Sequence, residues 1–363
     1  MDKELKQIVQ PLLDWFEENA RALPWRDNPT PYRVWVSEIM LQQTRVEAVK
    51  PFYERFMSEL PDIRSLAECS EEKLLKLWEG LGYYNRVRNM QIAAQTVMEK
   101  YGGELPADYQ ELLGLKGIGS YTAGAIASLA YGIAVPAVDG NVLRVISRLK
   151  ASKDDISKAA VKSAVEQEIS EIIPQGRVRQ FNQALMELGA MICVPNGAAK
   201  CEECPLSRLC RAKLLERVME FPQKTPKKPR KIEQRTILII KDGEKVAIRK
   251  RPDKGLLAGL YELPNEKGKL KAEEVLELLK IEKFSPVRIL KLRDAKHIFS
   301  HVEWHMTGYA IAIEEPEEDS GYLFVEPART QEQYPIPAAF SAYTEYLQIK
   351  LGQKKYEEQE SAK

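Results

Sequence analysis

A chain of 363 residues is too long for a typical single domain and fits two. With 44% hydrophobic and 29% charged residues its composition is that of an ordinary globular protein. A formal net charge of only +1 excludes nucleic-acid binding by overall charge, so any such binding needs a local patch. No apolar run is clean enough for a bilayer span: the best, AGAIASLAYGIAVPAV, is interrupted by Gly, Ser and Pro. The opening MDKELKQIVQPLLDWFEENA carries acids where a signal peptide has a basic flank and an apolar core, which predicts a cytoplasmic protein.

Residues 1 to 221 read as helical. VWVSEIMLQQTRVEAVKPF places Val36, Ile39, Met40, Val46 and Val49 near helical spacing, with Glu38 on the same strongly apolar face. A helix Glu is ordinarily a solvated one. Cys69 reads as a small core residue. GLGYYNRVRN (80–89) reads as an interhelical turn with packed tyrosines. In LLGLKGIGSYTAGAIASLA, a tight turn at Gly117-Ile118-Gly119 precedes a helix. That turn either simply joins packed helices or lets a phosphate approach free backbone N–H groups. Asp139, in VPAVDGNVLRV, is a helix N-cap or a buried carboxylate kept ionised by the helix N-terminus.

Cys193, Cys201, Cys204 and Cys210 follow, spaced C-x7-C-x2-C-x5-C. Cytosolic thiols so crowded suggest metal. Zinc sites commonly show two C-x2-C pairs and this stretch has one, whereas an iron–sulfur cubane accepts uneven loops; spacing alone leaves iron–sulfur, zinc and no metal open. A Pro- and Lys/Arg-rich linker spans 222–235. Beyond it the period changes. RTILIIKDGEKVAIRKR is a hairpin around Asp242-Gly243, AEEVLELLKI is a helix, and HIFSHVEWHMTGYAIAI is strand-like. An α+β domain is therefore expected over 236–350, with a frayed tail at 351–363.

LKGIGSYTAGAI, PAVDGNVLRVISRL, FNQALMELGAMIC and the cysteine stretch together resemble the helix–hairpin–helix DNA glycosylases, and within them the MutY family of adenine DNA glycosylases. The resemblance runs from LPWR (23–26) to YPIPAAF (334–340). It implies an all-α helix–hairpin–helix domain with an iron–sulfur loop, then a Nudix-like α+β domain. It also implies excision of adenine opposite 8-oxoguanine or guanine in duplex DNA, by a monomer near the nucleoid and away from membranes. Glu38 matches the family's general acid and Asp139 its stabiliser of an oxocarbenium-like sugar, supported by Tyr121 and Asn141. Relatives of endonuclease III carry a lysine nucleophile in the residue pair after the hairpin. Here the pair is Ser120-Tyr121, which implies little strand cleavage.

Gln43 and Tyr83, with Leu81 beside them, match the segments that wedge into DNA when a base is flipped out. Gly117 and Gly119 match the hairpin that grips the backbone, where a monovalent cation is also left open. Arg21, Trp25 and Arg26 match adenine-side and backbone contacts. Phe299, Ser300 and His301 match the loop that reads 8-oxoguanine, with Ser300 the strongest candidate because a hydroxyl both donates and accepts. His297, His301 and His305 would share one face of a strand and are assigned to packing or DNA contact rather than metal. The second domain lacks the R-E-x-x-E-E helix of a Nudix hydrolase, which implies a retained fold without hydrolysis. The four cysteines match the ligands of a 4Fe–4S cluster that would steady a loop bearing Lys200, Arg208 and Arg211 against phosphates, although the family's first spacer has six residues and this one seven.

Overall fold

The computed structural model describes residues 5–195, 197–226, 228–314 and 321–351. In chain order the helices are α1 (Val9–Asn19), α2 (Pro31–Leu41), α3 (Val46–Glu59), α4 (Ile63–Glu68), α5 (Glu71–Leu77) and α6 (Asn85–Tyr101). They continue as α7 (Tyr109–Leu113), α8 (Ser120–Ala125), α9 (Gly140–Lys150), α10 (Ala159–Ser170), α11 (Val178–Met191) and α12 (Arg211–Leu214), with a π-helical turn at Ile126–Ala130 extending α8. Strands β1 (Lys231–Asp242), β2 (Lys245–Lys250), β3 (Tyr261–Glu262) and β4 (Asn265–Lys267) follow, then α13 (Ala272–Ile281). The chain closes with β5 (Ser285–Lys291), β6 (Ala295–Ile298), β7 (Val302–Glu314), β8 (Leu323–Val325), α14 (Pro327–Gln333) and α15 (Ser341–Thr344).

Two compact units result, one of residues 1–68 and 89–227, the other of 69–88 and 228–363. Two features lie across the expected boundaries. Strand pairing begins at Lys231, inside the expected linker. Residues 69–88, read as part of the helical domain, pack with the second unit. The tail expected to fray lies, beyond Leu351, outside the described residues.

In the first unit, helical spacing of apolar residues builds the core. Leu12, Leu13 and Phe16 of α1 meet Val142, Val145 and Ile146 of α9 and Phe181, Leu185 and Leu188 of α11. Cys193, Cys204 and Cys210 pack against this same core. The stretch read as one helical run is two helices, because α2 stops at Leu41 and α3 restarts at Val46. Between them Gln43 adopts φ +67, a left-handed turn that no continuous helix allows. Cys69 is part-exposed rather than in the core.

The second unit is a mixed sheet in the order β3-β2-β1-β7-β5. The Asp242-Gly243 hairpin forms as expected, Asp242 facing Lys245 across it. Long β1 and β7 run parallel at the centre, Ile237 and Ile239 on one face and Leu238 and Ile240 on the other. One face packs on Val275 and Leu279 of α13, the other on Ile336, Phe340 and Tyr343. HIFSHVEWHMTGYAIAI is two antiparallel strands rather than one, so His297 and His305 sit on different strands and His301 in the turn between. His305 Nε2 lies 2.8 Å from Glu303.

Candidate active site

Helix α2 starts cleanly, with Thr30 Oγ1 accepting from Arg33 N–H and Pro31 at the first helical position. Both of its faces are covered: Tyr32, Val34, Trp35, Val36, Ile39 and Met40 are all buried. Glu38 is therefore not a solvated helix acid. It is 6% exposed, and burial lifts its pKa to about 7. A hydrogen bond donated by the Tyr121 hydroxyl opposes that rise, the charge of Asp139 adds to it, and Arg26 opposes it. Burial and the neighbouring acids hold Tyr121 well above the ordinary phenol range, so it remains a donor.

Tyr121 stands in the first turn of α8, directly after the hairpin. Gly117 has φ +79, and a Cβ there would come within 2.7 Å of Asn89 Cβ, so only glycine fits. Gly119 caps α8 without a side chain, and a Cβ there would meet nothing within 4 Å. Farther along, a Cβ on Gly124 would strike the Pro136 carbonyl at 2.1 Å. That close approach carries the 135–138 segment past α8 toward Asp139. Asn182, buried on α11, clamps the segment: its Nδ2 donates to Val135 O at 3.0 Å and its Oδ1 accepts from Ala137 N at 3.0 Å.

Asp139 is a part-exposed carboxylate at the start of a helix. It caps α9, with Oδ1 accepting from Asn141 N (2.9 Å) and Val142 N (2.8 Å), and Oδ2 accepting from Asn141 Nδ2 (2.7 Å). It also faces the Glu38–Tyr121 pair closely enough for its charge to act on both. The backbone N–H groups of the helix N-terminus favour its ionised form, as expected of a cap. Burial is the larger effect and raises the pKa, while the cap bonds and Arg144 oppose it.

Helix α9 ties this carboxylate to the cysteine loop. Buried Arg144 donates to Asn141 Oδ1 (2.8 Å), Gly189 O (2.7 Å) and Cys193 O (2.6 Å). One turn on, Arg148 donates to Phe221 O (3.0 Å), Val194 O (3.0 Å) and Cys193 Sγ (3.3 Å). Cys193, Cys201, Cys204 and Cys210 line one cavity with Arg148 and Lys213. Among the described residues, no three His, Cys, Asp or Glu converge as ligands of a single metal ion. A cubane takes thiolates at separate corners, so it accepts a wider set than the tetrahedron around one zinc. Burial holds the Cys204 thiol up at about 12, and Cys201 and Cys210 also up, so a bound cation is needed to keep them as thiolates. The extra residue of the first spacer falls in a segment whose Asn196 lies outside the described residues.

The remaining candidates divide. Gln43 and Tyr83 are exposed at the tips of turns, both with positive φ (+67 and +48). Leu81, expected beside them, is only 6% exposed and belongs to the packing beneath its turn. Trp25 is buried with its ring edge-on to Tyr53, not offered to a ligand. Arg21 and Arg26 converge on Glu187 of α11, at 2.7–2.8 Å. Burial pushes Glu187 up, but those two guanidinium groups outweigh it and bring the carboxyl to about 2. Sequence reading passed over Glu187; its signal is an acid amid the apolar residues of FNQALMELGAMI. In the second unit Ser300 and His301 are exposed in the β6–β7 turn. Phe299 instead packs inward, its ring 5.0 Å from that of Trp304.

Residues 36–175 match the model of the HhH-GPD superfamily of base excision DNA repair proteins, and residues 235–346 that of the NUDIX domain. The chain is 32% identical to the adenine DNA glycosylase of Homo sapiens, covering 94% of this chain and 73% of that one. It is 35% identical to that of Buchnera aphidicola subsp. Acyrthosiphon pisum, covering 84% of this chain and 86% of that one. In structure it is similar to a thermostable thymine-DNA glycosylase (TM-score 0.54, 29% identity, 59% of this chain and 98% of that one). It is also similar to endonuclease III in a non-covalent DNA complex (TM-score 0.51, 26% identity, 60% of this chain and 99% of that one). With two carboxylates gathered behind a glycine hairpin, both domain models matched in order, and relatives similar over most of both chains, this protein belongs to the adenine DNA glycosylases, base-excision enzymes that hydrolyse N-glycosyl bonds.

Proposed function

We propose that the chain excises adenine facing 8-oxoguanine or guanine in duplex DNA, acting as a monomer on a flipped-out nucleotide. The observation that supports this best is a carboxyl group, Glu38, that exchanges its proton near neutral pH beside a second carboxylate, Asp139. Adenine leaves poorly as an anion. Glu38 gives its proton to N7 of the base, the C1′–N9 bond breaks, and adenine departs neutral. Asp139 stands against the cationic sugar, held in place by Asn141 and the two backbone donors of α9. Water then adds to C1′ and returns a proton to the carboxylates. Tyr121 orients Glu38 and remains protonated throughout.

Two wedges would fill the gap left by the flipped base: Gln43 and Tyr83, the exposed turn tips. Ser300 and His301 would read the opposite base. Cys193, Cys201, Cys204 and Cys210 would hold a 4Fe–4S cluster, which when bound ties the loop through four thiolates and leaves the glycosidic bond to the carboxylates. Strand cleavage through a Schiff base needs an amine beside C1′. Lys162, which reaches Ser120 from α10 at 2.8 Å, is occupied by Ser120 and Glu166.

Incubation with a duplex bearing adenine opposite 8-oxoguanine, then alkali and strand sizing, tests the reading. Breakage at the adenine only after alkali is expected. No alkali-labile site would reject the activity. Breakage without alkali, together with a covalent adduct under borohydride, would replace it with a lyase.

A further inference from the structure

Residues 69–88 carry the exposed Tyr83, yet they pack with the sheet unit that carries Ser300 and His301. The tie between them is a buried ion pair. Lys76 and Glu79 have side chains only 7% and 3% exposed and meet at 2.9 Å. Lys76 Nζ also donates to Tyr334 O at 2.9 Å and Thr330 O at 3.3 Å, while Glu79 Oε1 accepts from Ile336 N at 2.9 Å. A second tie lies at the other end of the segment, where Arg88 donates to Ala258 O at 2.7 Å and to Glu71 at 2.6 Å.

From Glu79 the path to Tyr83 is short. Trp78 Nε1 donates to Gly82 O at 3.0 Å, and Arg86 donates to Leu81 O at 3.0 Å while lying over the rings of both Trp78 and Tyr83. From Ile336 the path to Ser300 is equally short. Ile336 and Phe340 share a core with Trp304, and Phe299, the neighbour of Ser300, packs on Trp304. A buried ion pair is weak evidence of added stability, because desolvation cancels much of the attraction. It does fix the register of the pieces it joins, and between them Lys76 and Glu79 bond three backbone groups of the 330–336 segment, Thr330 O, Tyr334 O and Ile336 N.

We infer that Lys76 and Glu79 are positioning residues that couple reading of the opposite base to insertion of the Tyr83 wedge. The inference rests on the proposed roles of Ser300 and Tyr83. Engagement of the β6–β7 turn by 8-oxoguanine orders the Trp304–Ile336 core, and the ion pair passes that order to residues 80–84. Adenine opposite 8-oxoguanine is then presented with its gap already filled, whereas adenine opposite guanine is not. The two turns respond as one body because contiguous packed and hydrogen-bonded groups join them.

The test compares the full chain with Lys76→Met/Glu79→Gln and, in case that pair fails to fold, with the partly exposed Arg88→Gln. Single-turnover excision is measured opposite 8-oxoguanine and opposite guanine. Hydrogen exchange of residues 80–84 is followed on duplexes carrying 2′-fluoro-2′-deoxyadenosine, whose fluorine blocks the cationic route. In the unmodified protein the 8-oxoguanine duplex protects residues 80–84 more than the guanine duplex does. In the variants that extra protection disappears and the preference for 8-oxoguanine falls by roughly 5- to 10-fold, with excision opposite guanine unchanged. Adding Ser300→Ala to the variants lowers the preference no further, because the path is already cut. Equal slowing on both duplexes, or extra protection that persists, overturns the coupling. An unmodified protein with no preference overturns the opposite-base reading itself, and the inference with it.

Discussion

Glu38 combines two properties that a helix acid rarely has together: burial and an acidic neighbour. Its pKa near 7 means that the folded protein binds a proton that the unfolded chain releases near the ordinary Glu value of 4.5. The folded state is therefore favoured by protonation, and stability falls as pH rises from about 4.5 to about 7, by roughly 3 kcal/mol in all. Glu38→Gln should recover that loss, raising the melting temperature at pH 8 while abolishing single-turnover excision. A variant that keeps its excision rate removes Glu38 as the acid. In the unmodified protein the excision rate should decline as pH rises through about 7, because the proton donor is lost there. Asp139→Asn keeps the shape of the cap and loses the charge. It should bind mismatched duplex normally and lose excision by about a hundredfold or more, measured in single turnover. Near-normal excision would reject its role. The identity of these acids was legible only through family resemblance. Read by itself, Glu38 is a solvated helix residue and Asp139 a cap; the burial that raises both their pKa values comes from packing.

Helix α9 is the element on which most of the first unit depends. Its N-cap is the carboxylate proposed to face the sugar, its second residue holds that carboxylate, and its buried arginines reach the cysteine loop. Arg144→Met should leave Asn141, Gly189 O and Cys193 O without their donor, costing roughly 2–4 kcal/mol. Lower iron content and slower excision together would support the link. An unchanged melting curve with full iron would refute it. Turns carry the opposite lesson. Gln43 and Tyr83 hold positive φ without being glycine, which costs about 1 kcal/mol each. Gln43→Gly should therefore stabilise the fold by roughly 1 kcal/mol yet slow excision from duplex more than from a substrate with the adenine already unpaired. Sequence periodicity ran straight through this turn. The apolar spacing on its two sides belongs to two helices whose phases happen to agree, and nothing local marks a break without Gly or Pro.

At the scale of the molecule, a net charge of +1 leaves recognition to a few exposed groups. Ser300→Ala should lower the preference for 8-oxoguanine over guanine with little change in overall affinity, since one hydroxyl at a turn tip contributes discrimination rather than bulk attraction. A ratio of excision rates on the two duplexes unchanged from the unmodified protein would reject Ser300 as the reader. The division of the chain is where sequence order misleads most. Residues 69–88 lie in the middle of the helical half by sequence and pack with the sheet unit in space.

By itself the sequence determined the family, the two fold types, the Asp242-Gly243 hairpin, the glycine hairpin before Ser120 and the grouping of four cysteines. All of these are written in local patterns: period, turn residues, spacing. Tertiary structure alone decided which candidates are exposed. Trp25 and Leu81 are the right residue types for ligand contact but are buried, Phe299 packs on Trp304, and Arg21 and Arg26 are held by Glu187, an acid distant from them in sequence. It also placed the cysteine loop. The loop lies along α9, joined through Arg144 and Arg148 to the helix that Asp139 caps. Burial, charge neutralisation and proximity across the chain are properties of pairs distant in sequence, and no single stretch encodes them.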